Sequence, residues 1–245
     1  MRLLLPGLLA SSLLGAPALA QPAPALSAAQ RAEVVALLRD TLRADPSILR
    51  DALAALQADD DRQQAAAQGQ MLAQVAGKLV DPADPVAGNP AADVTLVEFY
   101  DTRCPYCRAM MATTDELLRT DPGVRIVFKD LPILGPNSQL ESRALLAAQR
   151  QGGYLALQSR VMRTTGASTR DTLRAEAERQ GLDGARLLRD MDDPALAARL
   201  DANVALARQI GLQGTPALIG GTRMLPGAVG LPELRALVAD LRAQR

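Results

Sequence analysis

The chain holds two cysteines, and they stand together as Cys104-Pro105-Tyr106-Cys107. Two thiols at that spacing can form a disulfide with each other and exchange it with other thiols. Other uses of the pair are weaker. Half of a zinc site needs two further Cys or His ligands, and the chain has no third cysteine and no histidine. A structural bridge closing so small a loop contributes little stability. Copper(I) held between two thiolates is the remaining metal chemistry. The lack of histidine also excludes Ser-His-Asp and Cys-His catalysis. Redox exchange is therefore the leading expectation.

The neighbouring residues support it. Val94 to Phe99 is an almost continuous apolar run with β-branched residues, the pattern of a buried strand. Cys104 to about Arg119 reads as a helix, and Val124 to Phe128 as a second buried strand. Strand, helix, strand suggests a βαβ unit with a parallel pair. The cysteines then open the helix, where unpaired N–H groups and the positive end of the dipole favour a thiolate. Pro105 suits the first turn, which has no need of its N–H. Cys104, at the very start, is expected to be the exposed nucleophile, and Cys107 the more buried resolving partner.

Glu98 sits on the first strand, where a carboxylate is costly unless it is paired or carries a proton. Lys129, at the end of the next strand, is a candidate partner. Glu98 is also a candidate acceptor for the proton of Cys107, against the plainer alternative of a carboxylate facing solvent. Thr215-Pro216 follows Gly214 and precedes another strand-like stretch. A cis proline there would expose the Thr215 backbone beside the cysteines and let it bind an extended substrate, although spacing alone favours an ordinary trans turn.

Residues 138–210 contain no strand-like run and are divided by Gly and Pro into short helices. Thr215 to Leu225 reads as a hairpin around Gly220-Gly221, and a last helix begins near Pro232. The order is βαβ, a helical insert at about 138–210, then ββα. That is an α/β fold of thioredoxin type with a helical subdomain inserted between its halves.

The front of the chain differs. Arg2, the apolar Leu3 to Leu14 and Ala18-Leu19-Ala20 make residues 1–20 a secretory signal peptide, too short for a membrane anchor. Export to the periplasm is the corresponding expectation. Ser27 with Gln30 fits a capping box, and Val34, Val35, Leu38 and Leu42 recur at helical spacing. Asp45-Pro46 starts a second helix with Ile48, Leu49, Leu53 and Leu56. Residues 57–79 are Ala- and Gln-rich, with Gly69 and Gly77 arguing against a continuous rod. Two short helices cannot build a core alone. They pack on the main domain or, as the favoured reading, on copies of themselves. Residues 21–80 thus form an N-terminal helical oligomerisation or linker segment, and 81–245 the catalytic domain. The 27 basic and 27 acidic residues cancel, and aromatic residues make up 2% of the chain, so nucleic acid is not an expected partner.

Glu98-Phe99-Tyr100-Asp101 before Cys104-Pro105-Tyr106-Cys107, with Gly214-Thr215-Pro216 downstream, resembles the DsbA-like thiol–disulfide oxidoreductases. Leu131-Pro132-Ile133-Leu134-Gly135-Pro136, Gly88-Asn89-Pro90 and Val35 through Leu56 resemble its ScsC-like branch. The resemblance spans about residues 28–243. It implies Cys104 as nucleophile, Cys107 as resolving cysteine, a cis Pro216 and Glu98 at the family's buried acidic position. Substrate contacts would come from Thr215, Pro216, Pro105 and Tyr106, with no cofactor. The implied partners are misfolded exported proteins with cysteines, a membrane redox partner and, through residues 27–79, other copies of the chain, a trimer being favoured. Trimeric members of the branch act as isomerases; monomeric relatives act more as oxidases or reductases. Tyr106 stands where the best-known oxidase has His, which implies a weaker oxidant. Isomerase or reductase is the first expectation, with a monomeric dithiol oxidase and a copper(I)-binding protein as alternatives.

Overall fold

A computed structural model describes residues 26–244. Residues 1–20, which the sequence leads one to expect as a signal peptide, lie outside the described residues. Contacts divide the chain into two compact units, one ending at Ala58 and the other starting at Asp59.

The first unit holds helix α1 (Ala28–Ala44) and the opening turns of α2 (Ser47–Leu79). Ser27 caps α1 as its spacing from Gln30 predicts: the Gln30 N–H donates to Ser27 Oγ at 3.3 Å, and the Ser27 N–H to Gln30 Oε1 at 2.9 Å. Asp45 accepts from the Ser47 N–H at 3.0 Å at the head of α2. Helix α1 buries no residue, and Val34, Val35, Leu38, Leu49, Leu53 and Leu56 are all exposed.

The second unit is built on a five-stranded sheet in the order β1-β3-β2-β4-β5. Its strands are β1 (Val86–Gly88), β2 (Val94–Tyr100), β3 (Val124–Asp130), β4 (Ala217–Gly220) and β5 (Arg223–Pro226). Strands β2 and β3 pair in parallel, joined by α3 (Pro105–Thr120), and the other pairings are antiparallel. Five helices follow β3: α4 (Pro136–Gln149), α5 (Tyr154–Val161), α6 (Arg170–Arg179), α7 (Gly184–Met191) and α8 (Pro194–Gln209). Helix α9 (Leu231–Ala243) closes the fold. This is the α/β thioredoxin-type order with inserted helices that the patterns predict.

Both central strands are buried on both faces, which is why they read as apolar runs. Successive side chains alternate between two cores. Leu96, Tyr100, Ile126, Phe128 and Leu218 pack with the cysteines, α3, α9 and the inserted helices. Val97, Phe99, Val127 and Ile219 pack on the other face with Leu206 of α8, with its C-cap residue Ile210 and with Leu72, Val75 and Leu79 of α2. The last turns of α2 thus belong to the second core.

One expectation fails locally, and one element was not foreseen. Helix α2 runs unbroken through Gly69 and Gly77. A Cβ at Gly69 would come within 3.3 Å of the Thr222 carbonyl oxygen, so that glycine serves a close approach to the β4–β5 turn rather than a break. Strand β1, an edge strand of three residues, has no counterpart in the sequence reading because it is too short to show a period.

Candidate active site

Strand β2 delivers the chain to the cysteine pair, and α3 begins there. Cys104 is the N-cap of α3 in extended conformation, with Pro105 in the first turn. The Cys104 side chain makes no capping bond to the helix. Its thiol instead donates to the Thr215 carbonyl at 3.2 Å. The Thr215–Pro216 peptide bond is cis, as the resemblance implies. Chain segments 111 residues apart thus meet at one sulfur. Cys107 lies one turn into the helix and is 0% exposed.

Cys104 is 5% exposed, not open to solvent as its place at the helix start suggests. The Thr215–Pro216 segment packs over it, an effect of distant sequence that the local pattern does not carry. Around it Pro105 and Tyr106 are exposed, Thr215 is half-buried and Pro216 is buried. Burial pushes the Cys107 thiol well above the ordinary cysteine range, and the neighbouring Cys104 pushes the same way. The Asp101 backbone and Thr215 oppose these effects without cancelling them. The inner sulfur is therefore held as a thiol unless a proton acceptor takes its hydrogen.

Glu98 is 3% exposed, and its Oε2 has no hydrogen-bond partner among the described residues. Burial, with a smaller contribution from Asp115, raises its carboxyl to about 8. Alternation along β2 puts Glu98 on the same face as Leu96 and Tyr100, which share their core with both cysteines. No direct hydrogen bond joins Glu98 to Cys107 among the described residues, so a proton passing between them needs an intervening water.

Lys129 does not pair with Glu98. The register sets Glu98 beside Phe128 and Lys129 beside Phe99, so the lysine leaves the sheet from the opposite face. There Lys129 Nζ meets Asp84 Oδ2 at 2.6 Å, and Arg199 Nη2 meets Asp84 Oδ1 at 2.9 Å. A displacement of one residue reverses the face.

Several supporting residues were not singled out from the sequence. Asp101 is 0% exposed and accepts from the Arg103 N–H at 2.7 Å, from Ser138 Oγ at 2.8 Å and from the backbone of Ile133 and Leu134. Glu141 of α4, also 0% exposed, accepts from Thr102 Oγ1 at 2.6 Å and from Arg103 Nη1 at 3.3 Å. Every residue of the lead-in Asp101-Thr102-Arg103 is anchored, so the helix start is held rigidly. The available signal was three polar residues between a buried strand and a helix, a place where loops normally reach solvent. A third cluster lies at the end of β2 and β3. Tyr154 donates to Asp130 Oδ2 at 2.8 Å, Tyr100 to Asp130 Oδ1 at 3.1 Å, and the two hydroxyls are 2.6 Å apart. Burial raises the Asp130 carboxyl to about 6 despite these bonds.

Comparison with known proteins identifies the fold and the family. Residues 95–239 match the model of the DSBA-like thioredoxin domain, and residues 30–67 that of the copper resistance protein ScsC N-terminal domain. A ScsC variant of Proteus mirabilis with a linker deletion is 32% identical, covers 91% of this chain and 99% of its own, and superposes with a TM-score of 0.67. A thioredoxin-like oxidoreductase of Silicibacter pomeroyi is 40% identical over 66% of this chain and 94% of its own, with a TM-score of 0.63. A periplasmic thioredoxin-like protein of Salmonella enterica serovar Typhimurium is 33% identical over 66% of this chain and 92% of its own, with a TM-score of 0.60. Among curated proteins, a Na(+)/H(+) antiporter NhaA of Herminiimonas arsenicoxydans is 31% identical over 182 residues, 72% of this chain. The chain spans 29% of that antiporter's length, so the match speaks for the shared segment alone. No helix among the described residues is long and apolar enough to cross a membrane. The chain belongs to the DsbA-like thioredoxin-domain family of thiol–disulfide oxidoreductases, in the branch that carries a ScsC-type N-terminal domain.

Proposed function

We propose that this chain is an exported periplasmic enzyme that works mainly as a disulfide isomerase or reductase on secreted proteins, with Cys104 as nucleophile and Cys107 as resolving cysteine. One observation carries the reading: Cys104 Sγ sits at the start of α3, 3.2 Å from the Thr215 carbonyl, while Cys107 is wholly covered. The slight exposure of the outer sulfur, against none for the inner one, supports Cys104 as the one a substrate meets. A helix start favours an anion there by about 0.3–1 kcal/mol, more where it is partly buried.

In isomerisation the Cys104 thiolate attacks a wrong substrate disulfide. One substrate sulfur leaves as thiolate, and a mixed disulfide joins the other to Cys104. A second substrate thiolate then attacks the substrate sulfur of that bond and releases Cys104. In reduction, Cys107 loses its proton and attacks Cys104 Sγ, which frees the substrate thiolate and leaves the Cys104–Cys107 disulfide. A membrane redox partner then returns two electrons to the pair. Burial of Cys107 makes this step depend on an acceptor, and Glu98, raised to about 8, has the affinity to take a proton and give it back near neutral pH. Thr215, Pro216, Pro105 and Tyr106 line the approach to the sulfur and hold an extended substrate.

Residues 27–79 serve as the oligomerisation segment, with a trimer favoured, ahead of a catalytic domain at 81–245. The exposed apolar residues of α1 and of the first half of α2 support this reading, because chains rarely leave such a stripe in water. The Proteus ScsC relative shares the front segment within its 91% coverage.

Reactivation of scrambled ribonuclease in a glutathione buffer tests the proposal, with Cys104→Ala and a chain lacking residues 21–58, which keeps Leu72, Val75 and Leu79 in the sheet core, beside the full mature protein. Repair by the full protein and by neither control supports an oligomeric isomerase. Oxidation of reduced peptides by both the full and the shortened chain, without repair, identifies a dithiol oxidase instead.

A further inference from the structure

Of the 27 basic residues only two are lysines, Lys78 and Lys129. Arginine is the ordinary cation of this chain, yet both lysines line one cavity of about 390 Å³ on the sheet face away from the cysteines. Three separate elements supply its cations: Lys78 comes from the last turn of α2, Lys129 from β3 and Arg199 from α8. Asp81 and Asp84 line it as well, so the cations exceed the acids by one.

The hydrogen bonding of this cavity is lopsided. Asp84 is well supplied: its Oδ2 meets Lys129 Nζ at 2.6 Å and accepts the Asp81 N–H at 2.8 Å, and its Oδ1 meets Arg199 Nη2 at 2.9 Å. The donors are not. An ammonium carries three hydrogens, and Asp84 is the one protein partner of Lys129 among the described residues, although that side chain is 5% exposed. Arg199 uses Nη2 alone, on Asp84 and the Ala83 carbonyl, which leaves Nε and Nη1 without a protein partner among the described residues. Lys78 is exposed and makes no hydrogen bond or ion pair among the described residues. A concave site with cationic donors to spare on three elements suits a guest that is anionic and rich in acceptors.

We propose that this cavity binds a phosphate group, either the free ion or the terminal group of a small molecule, through Lys78, Lys129 and Arg199. A terminal phosphate offers three acceptor oxygens, one for each cation, where a carboxylate offers two. Lysine serves such a group as a compact point charge. The volume falls within the range of about 300–1,000 Å³ usual for small-molecule sites. Because Lys78 belongs to α2 and the other two cations to β3 and α8, a bound phosphate also ties the last turn of α2 to the sheet and to α8. The site lies on the far face from Cys104 and Cys107, and it stands independently of the exchange chemistry.

The test titrates the full mature chain by calorimetry with inorganic phosphate, glycerol 3-phosphate and acetate, at an ionic strength held constant with sodium chloride. Saturable binding of a phosphate, tighter than acetate, is the expected result. A tighter glycerol 3-phosphate identifies the head of a small molecule as the ligand, and an equal or tighter inorganic phosphate identifies the free ion; either supports the site. Lys78→Ala, at an exposed and unpaired position, should weaken binding about tenfold, the effect of losing one charge-assisted hydrogen bond. Arg208→Ala removes an exposed cation of α8 outside the cavity and should change nothing. Lys78 is also the one exposed lysine, so acylation with an amine reagent and peptide mapping should show it protected by saturating phosphate. No saturable binding, acetate bound as tightly, equal losses in the two variants or an unprotected Lys78 would overturn the inference.

Discussion

The two faces of the central sheet bury charge in opposite ways. On the face away from the cysteines, Lys129 and Asp84 are nearly inaccessible, and Arg199 joins them in a compact ion triad. On the cysteine face, Glu98 has an unsatisfied oxygen, and Asp130 is held by two tyrosine hydroxyls. Neither of these acids makes an ion pair among the described residues. Burial raises both of them, Glu98 to about 8 and Asp130 to about 6. Charges that only need to be stable are paired. An acid buried without a counter-ion on the face that carries the redox pair titrates closer to neutral pH, the property that the proposed role of Glu98 in exchange would use.

The largest expected effect tests the paired face. Lys129→Ala leaves Asp84 with one partner and should cost about 3–5 kcal/mol in denaturant unfolding, the range for a broken buried pair. Thiol exchange measured under folding conditions should change little. A large loss of exchange with a small loss of stability would reverse the assignment of the two faces.

The next effect belongs to Glu98. Its folded value of about 8 lies above the ordinary 4.5, so the folded state binds the proton more tightly. Stability therefore declines as pH rises from 4.5 to 8 and levels off above, by an amount on the order of a few kcal/mol. Glu98→Gln should remove that slope in unfolding curves taken across the window. It should also slow release of substrate from the mixed disulfide by at least about tenfold, since a positioned acid or base commonly supplies more than that. A slope that survives the substitution, or an unchanged release rate, would return Glu98 to a purely structural role.

Asp130 gives a smaller effect of the same sign. Its window runs from 3.8 to about 6. Asp130→Asn should flatten the pH dependence there by about 3 kcal/mol at most, because the amide does not titrate. Comparing the two variants assigns each part of the acid-to-neutral decline to its own carboxyl.

Much of this was legible in the amino-acid sequence because the signals were local. The apolar runs of β2 and β3, the capping of α1 by Ser27 and the place of Cys104 and Cys107 at a helix start each depend on neighbours within a few residues. Whatever needed the third dimension was not legible. Lys129 was assigned to the wrong acid because alternation on β3, fixed only by its pairing register, sends it to the far face. Cys104 is covered by a segment 111 residues away. Asp101 entered only as part of the family-like motif, with no role, although its carboxylate ties the redox loop to Ile133 and Leu134. β1 is too short to leave a pattern. Thr215-Pro216 became a site residue through family resemblance, since spacing alone favours a trans proline.

The most direct test of the central claim is to trap the mixed disulfide. The mature Cys107→Ala protein is incubated with a disulfide-containing peptide, quenched with acid and mapped by mass spectrometry. A covalent adduct on Cys104, absent from the Cys104→Ala protein, is the expected result. If no adduct forms, or if Cys107 of the Cys104→Ala protein captures the peptide equally fast, Cys104 is not the nucleophile and the exchange mechanism fails.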